Sequence, residues 1–129
     1  VAKLTMSSLG YANAASVDGK TIKVDDNISM VFKKGGAGTA PAYYESGSAI
    51  RMYQNGATLD VKAVSGKTIT SIKLIFANSQ YYLKADSGTL SAEADTRTWT
   101  GSANAVKFTS TGTDKNHRAY ISAIEVTYK

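Results

Sequence analysis

Apolar and polar residues alternate along most of this chain. Ile28, Met30 and Phe32 fall on one side of a two-residue period, with Ser29 and Lys33 on the other. Leu59, Val61 and Ala63 alternate with Thr58, Asp60 and Lys62. Ile72, Leu74 and Phe76 obey the same rule, as do Val106 with Phe108, and Ile124 with Val126 and Tyr128. Successive strand side chains point to opposite faces. Each run therefore predicts an antiparallel strand with one face in a core and one in water.

Turn residues punctuate the runs. Asp18-Gly19, Asn55-Gly56 and Ser65-Gly66 lie between them, and such pairs tolerate the positive φ of tight turns. Asn55-Gly56 separates residues 48–53 from 58–64 and predicts a hairpin joining them. Two segments share the pattern I-x-x-I-x-[LV]-x-aromatic, one from Ile69 to Phe76 and one from Ile121 to Tyr128. Ile69 and Ile121 are out of phase with the alternation that follows, so a β-bulge near each strand start is expected to return them to the core. No segment keeps a helical period. Residues 7–15 have room for one short turn, with Ser7 or Ser8 as its N-cap. About eight short strands at regular spacing predict an all-β fold, an antiparallel β-sandwich of jelly-roll type rather than a closed barrel, forming one module over residues 1–129.

Composition narrows the setting. A chain of 129 residues with 43% hydrophobic content can bury a core without staples. No run approaches the ~20 apolar residues of a membrane span, so no membrane insertion is expected. The start, Val1-Ala2-Lys3-Leu4, lacks the apolar stretch of a signal peptide, and the chain reads as a mature product or a module cut from something longer. The absence of cysteine excludes disulfides, thiolate metal sites and cysteine nucleophiles. A net charge of +5 serves solubility first, and affinity for an anionic partner second. The lysines are scattered and outline no groove, so nucleic acid is not an expected partner.

Catalytic chemistry finds few residues to work with. His117 is the single histidine and lies in the polar stretch 113–118. No G-x-S-x-G elbow occurs, and a serine triad needs one histidine, one carboxylate and that elbow. Among the acids, Glu45, Asp60, Glu93, Asp95 and Glu125 show no spacing that selects a glycosidase pair. Gly35-Gly36-Ala37-Gly38 lacks the Gly-Lys-Ser/Thr of a phosphate loop and reads as a flexible connection. Asp25-Asp26-Asn27 reads as a turn ahead of the Ile28 strand rather than a calcium loop. The expectation is a non-enzyme with no catalytic residue, no metal ligand and no cofactor.

Several segments resemble a module found repeatedly in large extracellular proteins of gut and rumen bacteria. They are Ser46-Gly47-Ser48-Ala49-Ile50-Arg51-Met52-Tyr53, Asn55-Gly56, Thr68 to Ile72, Gly88-Thr89-Leu90, Thr98-Trp99-Thr100-Gly101-Ser102 and the closing Ile121 to Tyr128. The resemblance runs from about Lys20 to the C-terminus. It implies a jelly-roll sandwich that is secreted or on the cell surface of a bacterium, attached to a glycoside hydrolase, nuclease or adhesin-like protein. It leaves a structural calcium ion open, since sandwich modules of this kind often carry one. A monomer is expected.

The aromatic residues carry the functional reading. Eight tyrosines and one tryptophan stand against three phenylalanines. A tyrosine offers a flat apolar ring and a polar tip, which suits a sugar's C–H face and hydroxyl edge. Three places fit. Tyr43 and Tyr44 are adjacent on an extended segment, so one is expected in the core and the other outside. Arg51 and Tyr53 project together if Ile50 and Met52 face inward, with Gln54 beside them. Tyr81 and Tyr82 are expected to join Trp99 in a long irregular region after Phe76. Trp99 also admits a structural reading, as does a buried Arg51–Tyr53 pair. The expected function is a non-catalytic carbohydrate-binding module that tethers an attached enzyme or surface protein to a polysaccharide. The alternative is a structural or adhesive spacer, or a protein-interaction module.

Overall fold

The computed structural model describes every residue, Val1–Lys129. In chain order the strands are β1 (Ala2–Thr5), β2 (Ala15–Ser16), β3 (Thr21–Lys23), β4 (Ile28–Lys33), β5 (Ala42–Tyr44), β6 (Ala49–Met52), β7 (Thr58–Ala63), β8 (Ile69–Tyr81), β9 (Leu83–Ala85), β10 (Thr89–Leu90), β11 (Thr96–Ala103), β12 (Ala105–Ser110) and β13 (Ala119–Tyr128). They form two antiparallel sheets. The larger follows the order β10-β11-β8-β13-β6-β5-β2, and the smaller β3-β4-β7-β12-β9. β13 pairs with β8 along one flank. Its other flank pairs with β6 near its start and with β1 further on.

The sheets pack face to face as a β-sandwich, and the alternation explains why. Met30 and Phe32 on β4, Leu59 and Val61 on β7, and Val106 and Phe108 on β12 are buried on the smaller sheet. Ile50, Met52, Ile72, Leu74, Ile124 and Val126 are buried on the larger. Each such side chain stabilises the fold by about 1.5–3 kcal/mol relative to exposure.

Both expected bulges are present. Ile121 pairs with Phe76 and Ala123 with Ile75, so β13 carries an extra residue at Ser122. Thr127 pairs with Ser71 and Tyr128 with Ile69, which leaves Thr70 as the extra residue on β8. Ile69, Ile72, Ile121 and Ile124 consequently all reach the core.

Other features depart from the sequence reading. Asn55-Gly56 is not a hairpin turn, because β6 lies in the larger sheet and β7 in the smaller. Both residues take the positive φ their types favour, 70° and 102°, but they carry the chain across the sandwich. The Asn55 N–H donates to the Gly112 carbonyl, and the Gly56 N–H donates to Ser110 Oγ. Ser110 Oγ in turn donates to the Tyr53 carbonyl. Gly35-Gly36, read as a flexible connection, packs its backbone directly against this crossing. A Cβ on Gly36 would lie 2.8 Å from the Asn55 carbonyl oxygen. Gly36→Ala is therefore expected to cost about 1–3 kcal/mol, seen as a lowered urea midpoint with an unchanged slope.

The early turn is a 3-10 helix over Met6–Leu9, with no side chain capping its N-terminus. Ser8 Oγ donates instead to the Thr5 carbonyl. The region after Phe76 is more regular than expected, with irregular stretches only at 86–88 and 91–95: β8 continues to Tyr81. It makes an excursion at Ala77–Gln80, where Asn78 and Ser79 are left-handed, before pairing with β13 again.

Asp25 does build a turn. Its Oδ1 accepts the Asn27 and Ile28 N–H groups at 2.7 and 2.8 Å, and its Oδ2 accepts the Tyr128 hydroxyl at 2.6 Å. Partial burial opposes ionisation, but these hydrogen bonds outweigh it and hold the carboxyl below the usual aspartate value. An unfolded aspartate titrates near pH 4, at about 3.9. The turn's stabilisation is thus complete above that value and is lost as pH falls through the lower folded value. Asp25→Asn is expected to be less stable than the parent at neutral pH. The gap in unfolding free energy should narrow as pH falls below about 4, and a constant gap would refute this account.

The two chain ends lie together. Ala2 pairs with Val126, and Lys129 exchanges two backbone hydrogen bonds with Thr68, each 2.9 Å.

Candidate functional site

Two Arg-x-Tyr sequences, Arg51-Met52-Tyr53 and Arg118-Ala119-Tyr120, meet on neighbouring antiparallel strands. Met52 of β6 pairs with Ala119 of β13, and Arg51 pairs with Tyr120. Continuing the same register one step sets Tyr53 across from Arg118. Met52 and Ala119 are fully buried, so their flanking side chains turn to the outer face. The outcome is two crossed cation–ring pairs. The Arg51 guanidinium lies 4.7 Å from the Tyr120 ring centre, and that of Arg118 lies 4.6 Å from the Tyr53 ring centre.

Tyr44 closes the group. On β5, Tyr43 points into the core and Tyr44 outward, as adjacent strand residues must. Tyr44 flanks Arg51 from the β5 side at 3.9 Å, while Tyr120 flanks it from the β13 side. The Tyr53 and Tyr44 hydroxyls are 3.1 Å apart, and Arg118 Nη1 donates to the Tyr120 hydroxyl at 3.1 Å. Tyr44, Tyr53, Arg118, Tyr120 and Arg51 thus form a closed circuit in which each side chain touches the next. Arg118 is fixed further. Its Nε donates to Gln54 Oε1 at 2.7 Å, and its backbone N–H donates to Gln80 Oε1 at 2.6 Å. Cation–ring contacts of this kind contribute ~0.5–2 kcal/mol each, more as water is excluded.

The electrostatics are one-sided. The ion pairs of the protein are Lys3 and Lys73 with Glu125, Lys23 with Asp26, and His117 with Asp114. No arginine takes part in one. Arg51 Nε is buried with no hydrogen-bond partner. Burial and then the neighbouring Tyr44 hydroxyl raise the Tyr53 pKa, with Arg51 opposing them. The phenol stays protonated at neutral pH.

A second patch adjoins the first. The Tyr81 and Tyr82 ring centres are 4.9 Å apart, and His117 sits edge-on to Tyr82 at 4.7 Å. The His117 ring is held by Asp114, with Nδ1 2.7 Å from Oδ1, and that contact keeps the Asp114 carboxyl below its usual value. The Tyr82 N–H donates to the Arg118 carbonyl at 3.1 Å, which sets the patches side by side.

The sequence candidates therefore divide. Tyr44, Arg51, Tyr53 and Gln54 come together in the circuit, and Tyr81 and Tyr82 lie next to it. Trp99 does not belong to the site. It is 0% exposed, and its indole N–H donates to the Ser87 carbonyl. Its ring is wedged so closely that a Cβ on Gly88 or Gly101 would collide with it. Tyr43 is also lost as a contact, being 6% exposed and in the core cluster. Tyr53, at 8% and in the same buried cluster, contributes a hydroxyl and a covered ring rather than a platform. Arg118 and Tyr120 were missed as site residues. The repeated Arg-x-Tyr spacing was the available signal, and the Ala119-Tyr120-Ile121 alternation puts Tyr120 outside.

No cluster of three or more His, Asp or Glu side chains converges anywhere in the protein. Two surface clefts lie elsewhere, one bordered by residues 62–68 with Asn104 and one by Asp25–Ser29 with Thr21, Lys23 and Val64. Asn104, which lines the first, donates to the carbonyls of Ala63, Val64 and Lys67. Comparison of the chain with protein-family models, with curated proteins and with solved structures finds no match.

Proposed function

We propose that this is a non-catalytic carbohydrate-binding module of a secreted or cell-surface bacterial protein, which tethers an attached enzyme or surface protein to a polysaccharide. The single observation that carries this reading is the circuit of Arg51, Arg118, Tyr44, Tyr53 and Tyr120 on the outer face. It is a packed surface in which the Arg51 guanidinium stacks against two rings and takes part in no ion pair. Rigid side chains lose little entropy when a ligand docks. Half-buried Tyr44, Tyr81 and Tyr82 offer ring surface, and Gln54 and Gln80 offer amide groups beside it. The resemblance to modules of gut and rumen bacterial proteins points the same way. The module is expected to act as a monomer, concentrating its neighbour on an insoluble target.

Affinity gel electrophoresis through a panel of soluble polysaccharides tests this. Retardation is expected with at least one. Tyr82→Ala should weaken it about tenfold, the equivalent of ~1.4 kcal/mol for one ring contact. Unchanged migration in every gel would remove the reading.

A second reading, a structural or adhesive spacer, is favoured by one specific finding. Trp99, Tyr43, Tyr53 and Tyr120 are each less than a tenth exposed, which leaves fewer free ring faces than the aromatic content suggests. Migration unaffected by any glycan is the outcome that reading requires.

A further inference from the structure

The circuit is built almost entirely of hydrogen-bond donors. Guanidinium groups carry donors and no acceptor. Arg118 spends donors on Gln54 and Tyr120. Arg51 forms no ion pair; its Nε is buried, so only its two Nη groups are left to form a fork, and the guanidinium is held by the Tyr44 and Tyr120 rings at 3.9 and 4.7 Å. The phenols add to this. Tyr120 accepts from Arg118, so its own proton is left to give away. In the Tyr53–Tyr44 pair one hydroxyl donates to the other, which leaves one proton over. Tyr44 is the more exposed of the two and is the natural place for that proton. A neutral sugar presents hydroxyls that both give and accept. A surface dominated by donors, with two guanidinium cations and no ion-paired acid to balance them, is matched better by an acceptor-only group. Carboxylate and sulfate are such groups, and a held guanidinium fork meets either one through two parallel bonds.

We propose that the Arg51–Arg118 face recognises an anionic sugar, with the carboxylate or sulfate group of a glycan seated on Arg51 and flanked by the Tyr44 and Tyr120 hydroxyls. This rests on the carbohydrate-binding reading and names its ligand class. Arg51 supplies the fork, Arg118 adds the second charge, and Gln54 and Gln80 hold Arg118 in place.

The test runs the intact module against sodium polygalacturonate, dextran sulfate, neutral dextran, a neutral xyloglucan and poly-glutamate. Retardation is expected with polygalacturonate, dextran sulfate or both, and the pattern distinguishes carboxylate from sulfate. Arg51→Gln should weaken it at least tenfold. Arg51→Lys keeps the charge but loses the fork, and should also weaken it several-fold while melting within a few degrees of the parent. Lys107→Gln removes the same charge from an exposed position on β12 in the smaller sheet, and should change affinity less than twofold. If Lys107→Gln weakens retention as much as Arg51→Gln, the attraction is net charge alone and the proposal falls. Equal retention by neutral and anionic glycans overturns the proposal while leaving the carbohydrate-binding reading standing. Equal retention by poly-glutamate, or by none of the polymers, overturns both.

Discussion

Replacing Trp99 with alanine is expected to remove about 3–5 kcal/mol of stability, the usual cost of deleting a large buried aromatic. The ring is fully enclosed. Gly88 and Gly101 leave it no slack, since a Cβ at either would stand within 2.6 Å of its atoms. The cavity left behind cannot close easily, because β8, β10 and β11 are tied together by their ladders there. For a domain with a typical 5–15 kcal/mol in hand, this is a large share of the total stability. Trp99→Phe keeps most of the ring but leaves the Ser87 carbonyl without its 2.6 Å donor, and is expected to cost about 1–3 kcal/mol. Urea unfolding gives both values. Because Trp99 is the single tryptophan, its fluorescence reports the core directly. It should resist iodide quenching in the native protein and show no change when a glycan binds. A ligand-dependent change in its emission would contradict its removal from the site.

Arg97→Ala is expected to cost about 3 kcal/mol or more. Arg97 is 7% exposed, and burial lowers its pKa without neutralising it. Its Nε donates to the Ser91 carbonyl, and its Nη1 donates to the carbonyls of Tyr81 and Leu83, at 2.8–3.0 Å. Hydrogen bonds from a charged group are worth ~1.5–3 kcal/mol each, and all three end together. Arg97→Lys should recover less than half of the loss, because an ammonium group cannot reproduce the planar fork. The carbonyl of Tyr81 is one of the acceptors, so this residue also sets the backbone that carries the Tyr81–Tyr82 pair. Loss of glycan retention in Arg97→Lys at a temperature where it is still folded is the expected companion effect. Equal stability of Arg97→Lys and the parent would show that charge alone suffices.

The strands were legible because burial imposes a period of two, and Ile28-Met30-Phe32 or Leu59-Val61-Ala63 can satisfy it in only one way. The bulges at Thr70 and Ser122 were legible for the same reason: Ile69 and Ile121 are too apolar to face water. Asn55-Gly56 misled because positive φ is a local property, whereas the sheet joined next depends on partners far along the chain. Gly112 and Ser110, which hold the crossing, are more than fifty residues away. Trp99 looked like a sugar platform because its type allows it. Only the approach of Gly88 from another segment shows that the ring is sealed. The site was half legible. Tyr44, Arg51 and Tyr53 follow from alternation on two short strands, and Gln54 only from standing next to Tyr53 in the chain. Arg118 enters only through the antiparallel register of β6 and β13, which sets residues 64 positions apart side by side.

The positions of the chain ends give the module a direction. Tyr120 lies near the start of β13, and Val126, beside Ala2, lies near its finish. At ~3.3 Å per strand residue, the gap is on the order of 20 Å. A reporter protein or surface anchor fused at either end would emerge from the pole opposite the arginines. The donor face would then point outward like the head of a stud, unobstructed by whatever carries it.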